Sequence, residues 1–207
     1  RHLKGKKTRP LAEAEVFETG SNQWKSYKQW PPRNAKSKRL YMRAGGKLSF
    51  QPPPKSPGSS QGYDSYVSDP AKPVPFIGKV RITQGHTWMV DDQRFASRRP
   101  DVLVYQTEPL KKSVLIAGPI IADLRVSTSG TDADWIVKLI DVYPGDAKND
   151  SPRGKAVKMG GYQMLVAGEV VRGKFRESFE RPRPMRPAAI TKIRFDLRDK
   201  YHRFLPG

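Results

Sequence analysis

The sequence predicts an all-β protein, an antiparallel β-sandwich, and three observations predict it. Short stretches of alternating apolar and polar residues recur about every ten residues. Turn-forming residues separate them, and no segment reads as a βαβ unit or an internal repeat. Ile193, Phe195 and Leu197 alternate with Lys192, Arg194 and Asp196, the period-2 pattern of a half-buried strand.

In chain order, Ala12 to Thr19 is the first strand, followed by a turn over Gly20-Ser21-Asn22-Gln23-Trp24. Arg39 to Arg43 is the next strand. Residues 51–62 hold four Pro and two Gly and read as a loop without a packed core of its own. Strands follow over Val102 to Gln106, Ser113 to Ala117 and Ile121 to Thr128, where Leu124 and Val126 alternate with charged neighbours. Trp135 to Tyr143 is apolar on both faces through Ile140, which suits a central strand. Tyr162 to Val171 and Ile190 to Leu197 complete the set. Ser129-Gly130-Thr131-Asp132, Pro144-Gly145-Asp146 and the Arg-Pro pairs from Arg181 to Pro187 supply the turns, and Arg172 to Glu180 reads as a short helix or an irregular arm. Leu124, Val126, Val137, Leu139, Ile193 and Phe195 are the residues expected between the two sheets.

Composition narrows the function. The chain has 207 residues and no Cys, which excludes disulfide scaffolds, thiol catalysis and zinc fingers. Three His (His2, His86, His202) leave little for a metal centre, so no metal site is expected. The longest apolar run, from Ile116 to Ala122, is too short to span a bilayer as a helix. The formal net charge is +19, which raises nucleic acid as a partner. The excess is front-loaded, with 14 basic and 3 acidic residues in 1–60 against 25 and 17 in 61–207. No RNP-like aromatic cluster, GXXG clamp or recognition-helix pattern accompanies it, so a solvated basic surface is the simpler reading.

Candidate chemistry is sparse. Gly58-Ser59-Ser60-Gln61-Gly62 matches G-x-S-x-G, but a nucleophile elbow needs a strand before the Ser and a helix after it. Four prolines precede this one, and the match reads as a flexible loop. Asp91/Asp92 and Asp132/Asp134 lack the spacing of a calcium loop, and turn formation explains Asp132 and Asp134. Neither His86 nor His202 has a carboxylate orienter nearby in sequence, so each is read as a surface or satisfied core residue.

From Gly62 onward the residues carry a resemblance. Gly62-Tyr63-Asp64-Ser65-Tyr66-Val67-Ser68-Asp69-Pro70, Met89-Val90-Asp91-Asp92-Gln93-Arg94-Phe95 and Arg99-Pro100-Asp101-Val102-Leu103-Val104-Tyr105 resemble the CocE/NonD family of serine hydrolases. So do Gly130-Thr131-Asp132-Ala133-Asp134-Trp135, Lys138 to Pro144, Gly161-Tyr162-Gln163-Met164 and Arg172 to Glu180. The similarity is greatest to the branch of α-amino-acid ester hydrolases and glutaryl acylases, with X-Pro dipeptidyl-peptidases in the same family. It covers most of 62–207 in order. Upstream, Val16 to Trp24 and Trp30-Pro31-Pro32 resemble the first strand and turn of the family's C-terminal domain.

The resemblance implies a jelly-roll β-sandwich similar to galactose-binding folds over 12–207, with 1–11 as the tail of a preceding hydrolase-domain helix and linker. It implies that the family pattern continues past Gly207 into a further strand. The Ser-Asp-His triad of such enzymes lies in an α/β-hydrolase domain N-terminal to Arg1, and His2 lacks the surroundings of the base. The implied role is therefore non-catalytic: supporting that domain and its active-site mouth in hydrolysis of acyl esters, amides or X-Pro peptides. No cofactor, nucleic acid or membrane is implied; the catalytic domain is the implied partner, and self-association stays open. Thr87, Trp88, Met89, Asp91 and Asp92 are the candidates for the active-site mouth, since His86 to Arg94 mixes aromatic, soft apolar and charged groups without a period. The competing reading has Trp88 and Met89 packing and Asp92 pairing with Arg94. The alternative for the whole chain is a free-standing basic module for nucleic acid or anionic carbohydrate.

Overall fold

The computed structural model describes residues 11–54, 62–79, 88–151, 154 and 156–207. Eight strands run in order: β1 (Ala14–Glu18), β2 (Gln23–Tyr27), β3 (Tyr41–Arg43), β4 (Lys47–Ser49), β5 (Val114–Val126), β6 (Asp134–Val142), β7 (Gln163–Arg172) and β8 (Thr191–Phe204). The helical residues among those described are α1 (Arg94–Ser97), a 3₁₀ turn over Gly173–Phe175 and the single 3₁₀ residue Gly154. They pair as four antiparallel ribbons, β1 with β2, β3 with β4, β5 with β8 and β6 with β7. The fold is an all-β sandwich in which the long β5–β8 ribbon faces the β6–β7 ribbon.

Its core is narrow. Ala122 and Leu197 of the first ribbon meet Ala167 of the second, and Ile120, Leu124, Val137, Leu139 and Phe195 close around them. Small residues at the contact let two twisted ribbons approach closely. Ile193 is 0% exposed, and Val126 is half-buried at the end of β5. The six residues expected between the sheets thus all turn away from solvent, and the alternation over Ile193, Phe195 and Leu197 holds.

Four sequence expectations change. The stretches Ser113–Ala117 and Ile121–Thr128 are one strand, because the pairing continues past Gly118-Pro119 through a bulge. There β8 places Leu197 and Arg198 opposite Ile120 alone, with Arg198 at φ 68° and its N–H bonded to Asp196 Oδ1 at 2.8 Å. Pro119, which lacks an N–H, sits at this irregularity, where a ladder tolerates it. The segment Val102–Gln106 is not a strand; Gln106 makes an isolated bridge to Lys47. β6 is not central, since it pairs with β7 alone among the described residues and leaves Ile136 60% exposed. Finally β2, read as a turn around Trp24, and the three-residue β4 are strands whose alternation is too short to see in sequence.

Two glycines fix how the first hairpin meets the sandwich. At Gly20 (φ 93°) a Cβ would collide with the Arg203 carbonyl. At Gly118 (φ 123°) it would press on the Pro31 ring at 2.8 Å. Both sites need backbone within touching distance of a neighbour.

The core assignment yields a stability contrast. Ile193→Ala should cost about 3 kcal/mol in chemical denaturation, through lost apolar transfer and the cavity left behind. Ile136→Thr, on the outer face of β6, should stay within about 0.5 kcal/mol.

Candidate functional site

The segment carrying the proposed mouth residues is pinned to the sandwich from behind. Gln93 is 2% exposed, and three of its bonds tie the segment down. Its N–H donates to the Gln163 carbonyl at 2.9 Å, its Nε2 donates to the Asp91 carbonyl at 2.8 Å, and its Oε1 accepts from Lys138 Nζ at 2.7 Å. Lys138 reaches it from β6 and lies 4.9 Å from the Phe76 ring centroid and 5.9 Å from that of Phe95. Burial pulls the Lys138 ammonium below its ordinary pKa, so the carboxamide and the ring faces stand in for lost water.

Asp92 is a second pin. Its Oδ1 accepts from the Arg94 N–H at 3.1 Å and the Gln163 N–H at 3.3 Å, and its Oδ2 accepts from Arg94 Nε at 2.6 Å. Partial burial opposes ionisation, but the Arg94 bonds outweigh it and hold the carboxyl below its usual range. Arg94 also donates to the Gly160 carbonyl at 3.2 Å, and Tyr162 Oη donates to the Val90 carbonyl at 2.7 Å. A carboxylate so engaged orients a loop; it is not free to move protons.

What this framework displays is apolar. Trp88 tilts against Phe76 with centroids 4.9 Å apart, while Met89 is 61% exposed and Val90 is exposed beside it. Asp91 is half-buried. Trp88, Met89, Asp91 and Asp92 therefore share one turn, with Met89 outermost; Thr87 lies outside the described residues, as do His86 and Ser60. The extended segment before the turn exposes Tyr63, Val67 and Phe76. Tyr105 Oη donates to Asp64 Oδ2 at 2.6 Å, and Arg99, paired with Asp101, donates to the Lys72 carbonyl at 3.0 Å, which holds that segment against the domain. Sequence reading missed Gln93, Gln163 and Lys138 as the supports. The available signal was Lys138 itself, a cation inside the apolar run from Trp135 to Ile140.

The acidic residues elsewhere are structural. Asp132 Oδ1 accepts from the Ala133 and Lys174 N–H groups at 3.0 and 2.9 Å, a turn role as expected. Asp134 lies at the start of β6 and receives a bidentate pair from Arg172 at 2.7 and 2.9 Å. No group of three or more His, Asp or Glu with metal-ligand geometry occurs among the described residues.

The end of β8 carries a buried polar knot that sequence did not reveal. Glu18, 1% exposed, accepts through Oε1 from Arg203 Nε and from Ser21 Oγ, each at 2.5 Å. Next to it His202, 2% exposed, has Nδ1 2.7 Å from Thr19 Oγ1 and Nε2 2.9 Å from Asp141 Oδ2. Its carboxylate partner comes from β6, 61 residues away. Hydroxyl, imidazole and carboxylate in line suggest a hydrolytic triad. The imidazole is sealed from solvent, however, and Thr19 Oγ1 also donates to the Tyr201 carbonyl at 3.1 Å. A base that no leaving group can reach does no acyl transfer. The knot ties β1, β6 and β8 together.

The family described as "X-Pro dipeptidyl-peptidase C-terminal non-catalytic domain" matches residues 6–207. The chain belongs to this family. Among relatives it is 30% identical to a cocaine esterase of Rhodococcus sp. (strain MB1 Bresler), over 100% of this chain and 34% of that protein. It is 25% identical to a putative serine esterase of Mycobacterium bovis over 33% of that protein. Among solved structures, an aminopeptidase from the marine sediment archaeon Thaumarchaeota archaeon superposes with a TM-score of 0.85 at 40% identity, covering 99% of this chain and 33% of that one. An α-amino acid ester hydrolase superposes at 0.81 with 44% identity over 93% of this chain and 31% of that one. The chain thus spans about a third of the length of each relative. It is a non-catalytic C-terminal domain of the X-Pro dipeptidyl-peptidase and esterase type of hydrolase.

The polar knot of this domain makes a pH prediction. The Arg203 bond outweighs burial and lowers the Glu18 pKa from 4.5 to about 2. A depressed folded-state pKa stabilises the fold above the unfolded value and ceases to do so as pH falls through the folded one. Glu18→Gln should therefore cost up to about 3 kcal/mol at neutral pH, the scale set by the size of the shift. In urea melts, the gap between the native chain and the variant should close as pH falls from about 4.5 toward 2.

Proposed function

We propose that this domain braces the catalytic part of a serine ester or amide hydrolase carried on the same polypeptide, and that the turn at 88–92 forms part of the rim of its active-site mouth. The observation that carries this is the apolar display of Met89 and Val90 on a turn locked by Gln93 and Asp92. A domain does not rigidly fix an exposed Met–Val pair for solvent; such a surface suits a partner that covers it. The occupant is the catalytic part, because the chain matches only about a third of each relative and matches it end to end. The substrates in this reading are acyl esters, amides or X-Pro peptides, as the names of the relatives indicate. Met89 and Asp91 are assigned to the rim, Trp88 packs behind them on Phe76, and Asp92 holds the turn in place.

The test compares the full-length polypeptide with its Met89→Ser/Val90→Ser variant. On an amino-acid ester substrate the variant should lose about tenfold in kcat/KM, since a displaced rim alters substrate positioning more than chemistry. Ser60→Ala should change nothing, and the 207 residues alone should give no turnover. Unchanged kinetics in the double variant, or turnover by the chain alone that Ser60→Ala abolishes, would overturn this reading.

A further inference from the structure

We propose that the acid-free segment 23–47 is a binding surface for an acidic polysaccharide, anchored in the cleft between Lys28 and Arg33. From Thr19 to Tyr63 the chain has no Asp or Glu and nine Lys or Arg. Eight of these cations are described, and Lys28, Arg33, Lys36, Lys38, Arg39 and Lys47 are exposed. Lys47 alone among them lies near a carboxylate, Glu108 at 3.7 Å with both side chains largely in solvent. Elsewhere the domain pairs nine Lys and Arg with carboxylates, including Arg172 with Asp134 and Lys192 with Asp123. The residues outside the described set contain no Asp or Glu and cannot supply the missing partners. Thirteen other described Lys and Arg outside the belt also lie near no carboxylate, so what sets the belt apart is its unbroken run of cations from Thr19 to Tyr63 without an acidic residue.

Within the belt lies a cleft of about 350 Å³ lined by Tyr27, Lys28, Gln29, Pro32, Arg33 and Asn34. Its base is held by the sandwich: the Tyr27, Trp30 and Tyr201 rings pack edge to face at 5.5 to 6.0 Å, and Trp30 Nε1 donates to Asp199 Oδ2 at 2.5 Å. Gln29 Oε1 accepts from Arg33 Nε at 2.7 Å, which fixes the guanidinium at the cleft's edge. The cleft has the size of a ligand site, and Lys28, Gln29, Arg33 and Asn34 are its polar lining.

The chemistry selects the ligand class. Protein interfaces are depleted in Lys, whereas five of the eight described cations here are Lys, compact charges suited to a string of anions. Two carboxamides, Gln29 and Asn34, stand beside Lys28 and Arg33 in one cleft. A carboxamide donates and accepts at once, which matches sugar hydroxyls, while the cations match the acid group on the same ring. Single-stranded nucleic acid instead calls for a row of aromatic platforms along the cations. Here the exposed aromatic platform on β2 is Trp24 alone.

The experiment measures binding of the purified protein to immobilised polygalacturonate, with dextran and single-stranded DNA as comparisons. Polygalacturonate should bind, and its Kd should rise about tenfold between about 50 and about 300 mM NaCl as the charges are screened. Lys28→Gln/Arg33→Gln should weaken it about tenfold or more. Lys192→Gln/Arg198→Gln, which removes the same charge outside the belt, should weaken it less than about twofold. No binding at low salt, equal losses in the two double variants, or dextran bound as well as polygalacturonate would each overturn the proposal. DNA bound as tightly at the same salt would assign the belt to nucleic acid and overturn it too. None of these readouts depends on hydrolase activity.

Discussion

The domain depends on the final third of β8, where two buried polar side chains join elements far apart in sequence. Glu18 and Arg203 fasten the first hairpin to β8, and His202 reaches from β8 to Thr19 and to Asp141 on β6. The apolar core is too slight to do this alone: its centre is two alanines and a leucine between two-stranded ribbons. An isolated ribbon is marginal in water, so directional bonds between ribbons set their relative position. Removing one partner leaves the other buried and unsatisfied, which makes the knot costly to disturb.

From this frame the display of side chains follows. β6 and β7 are held against β8, and they in turn carry Lys138 and Gln163, the two groups that fix Gln93 and Asp92. The turn at 88–92 is thereby placed by the core together with the bonds that Gln93 and Arg94 make within the segment. Elsewhere, Asp199 and Tyr201 of β8 seat Trp30 and Tyr27, and Tyr27 lines the basic cleft. One strand therefore organises an apolar face and a cationic one.

Much of the fold was legible because it rests on local alternation. The inward set from Leu124 to Phe195 is a period-2 pattern, and the long strands carried it clearly. Strands of three to five residues such as β2 and β4 offer too few positions for a period, and Pro119 looked like a break because a bulge cannot be read from one chain. The turn at 88–92 was visible as an unusual mixture of residue types, and the resemblance in motif placed the chain in its family. Its supports were not visible, since Gln93 and Lys138 meet only through tertiary contact 45 residues apart. The same reason hid Asp141 from His202. The basic excess of the first 60 residues was plain in sequence, but that Lys47 alone among the described cations of 23–47 lies near a carboxylate required the structure.

The central claim is that the face formed by 62–79 and 88–92 is covered by the catalytic part of a larger hydrolase. Amide hydrogen exchange, comparing the full-length polypeptide with the 207-residue chain, tests it most directly. The account predicts that amides in 62–79 and 88–92 exchange at least about tenfold more slowly in the full-length polypeptide, while 33–40 and the β5–β8 ladder exchange alike in both. Equal exchange in 62–79 and 88–92 would contradict it.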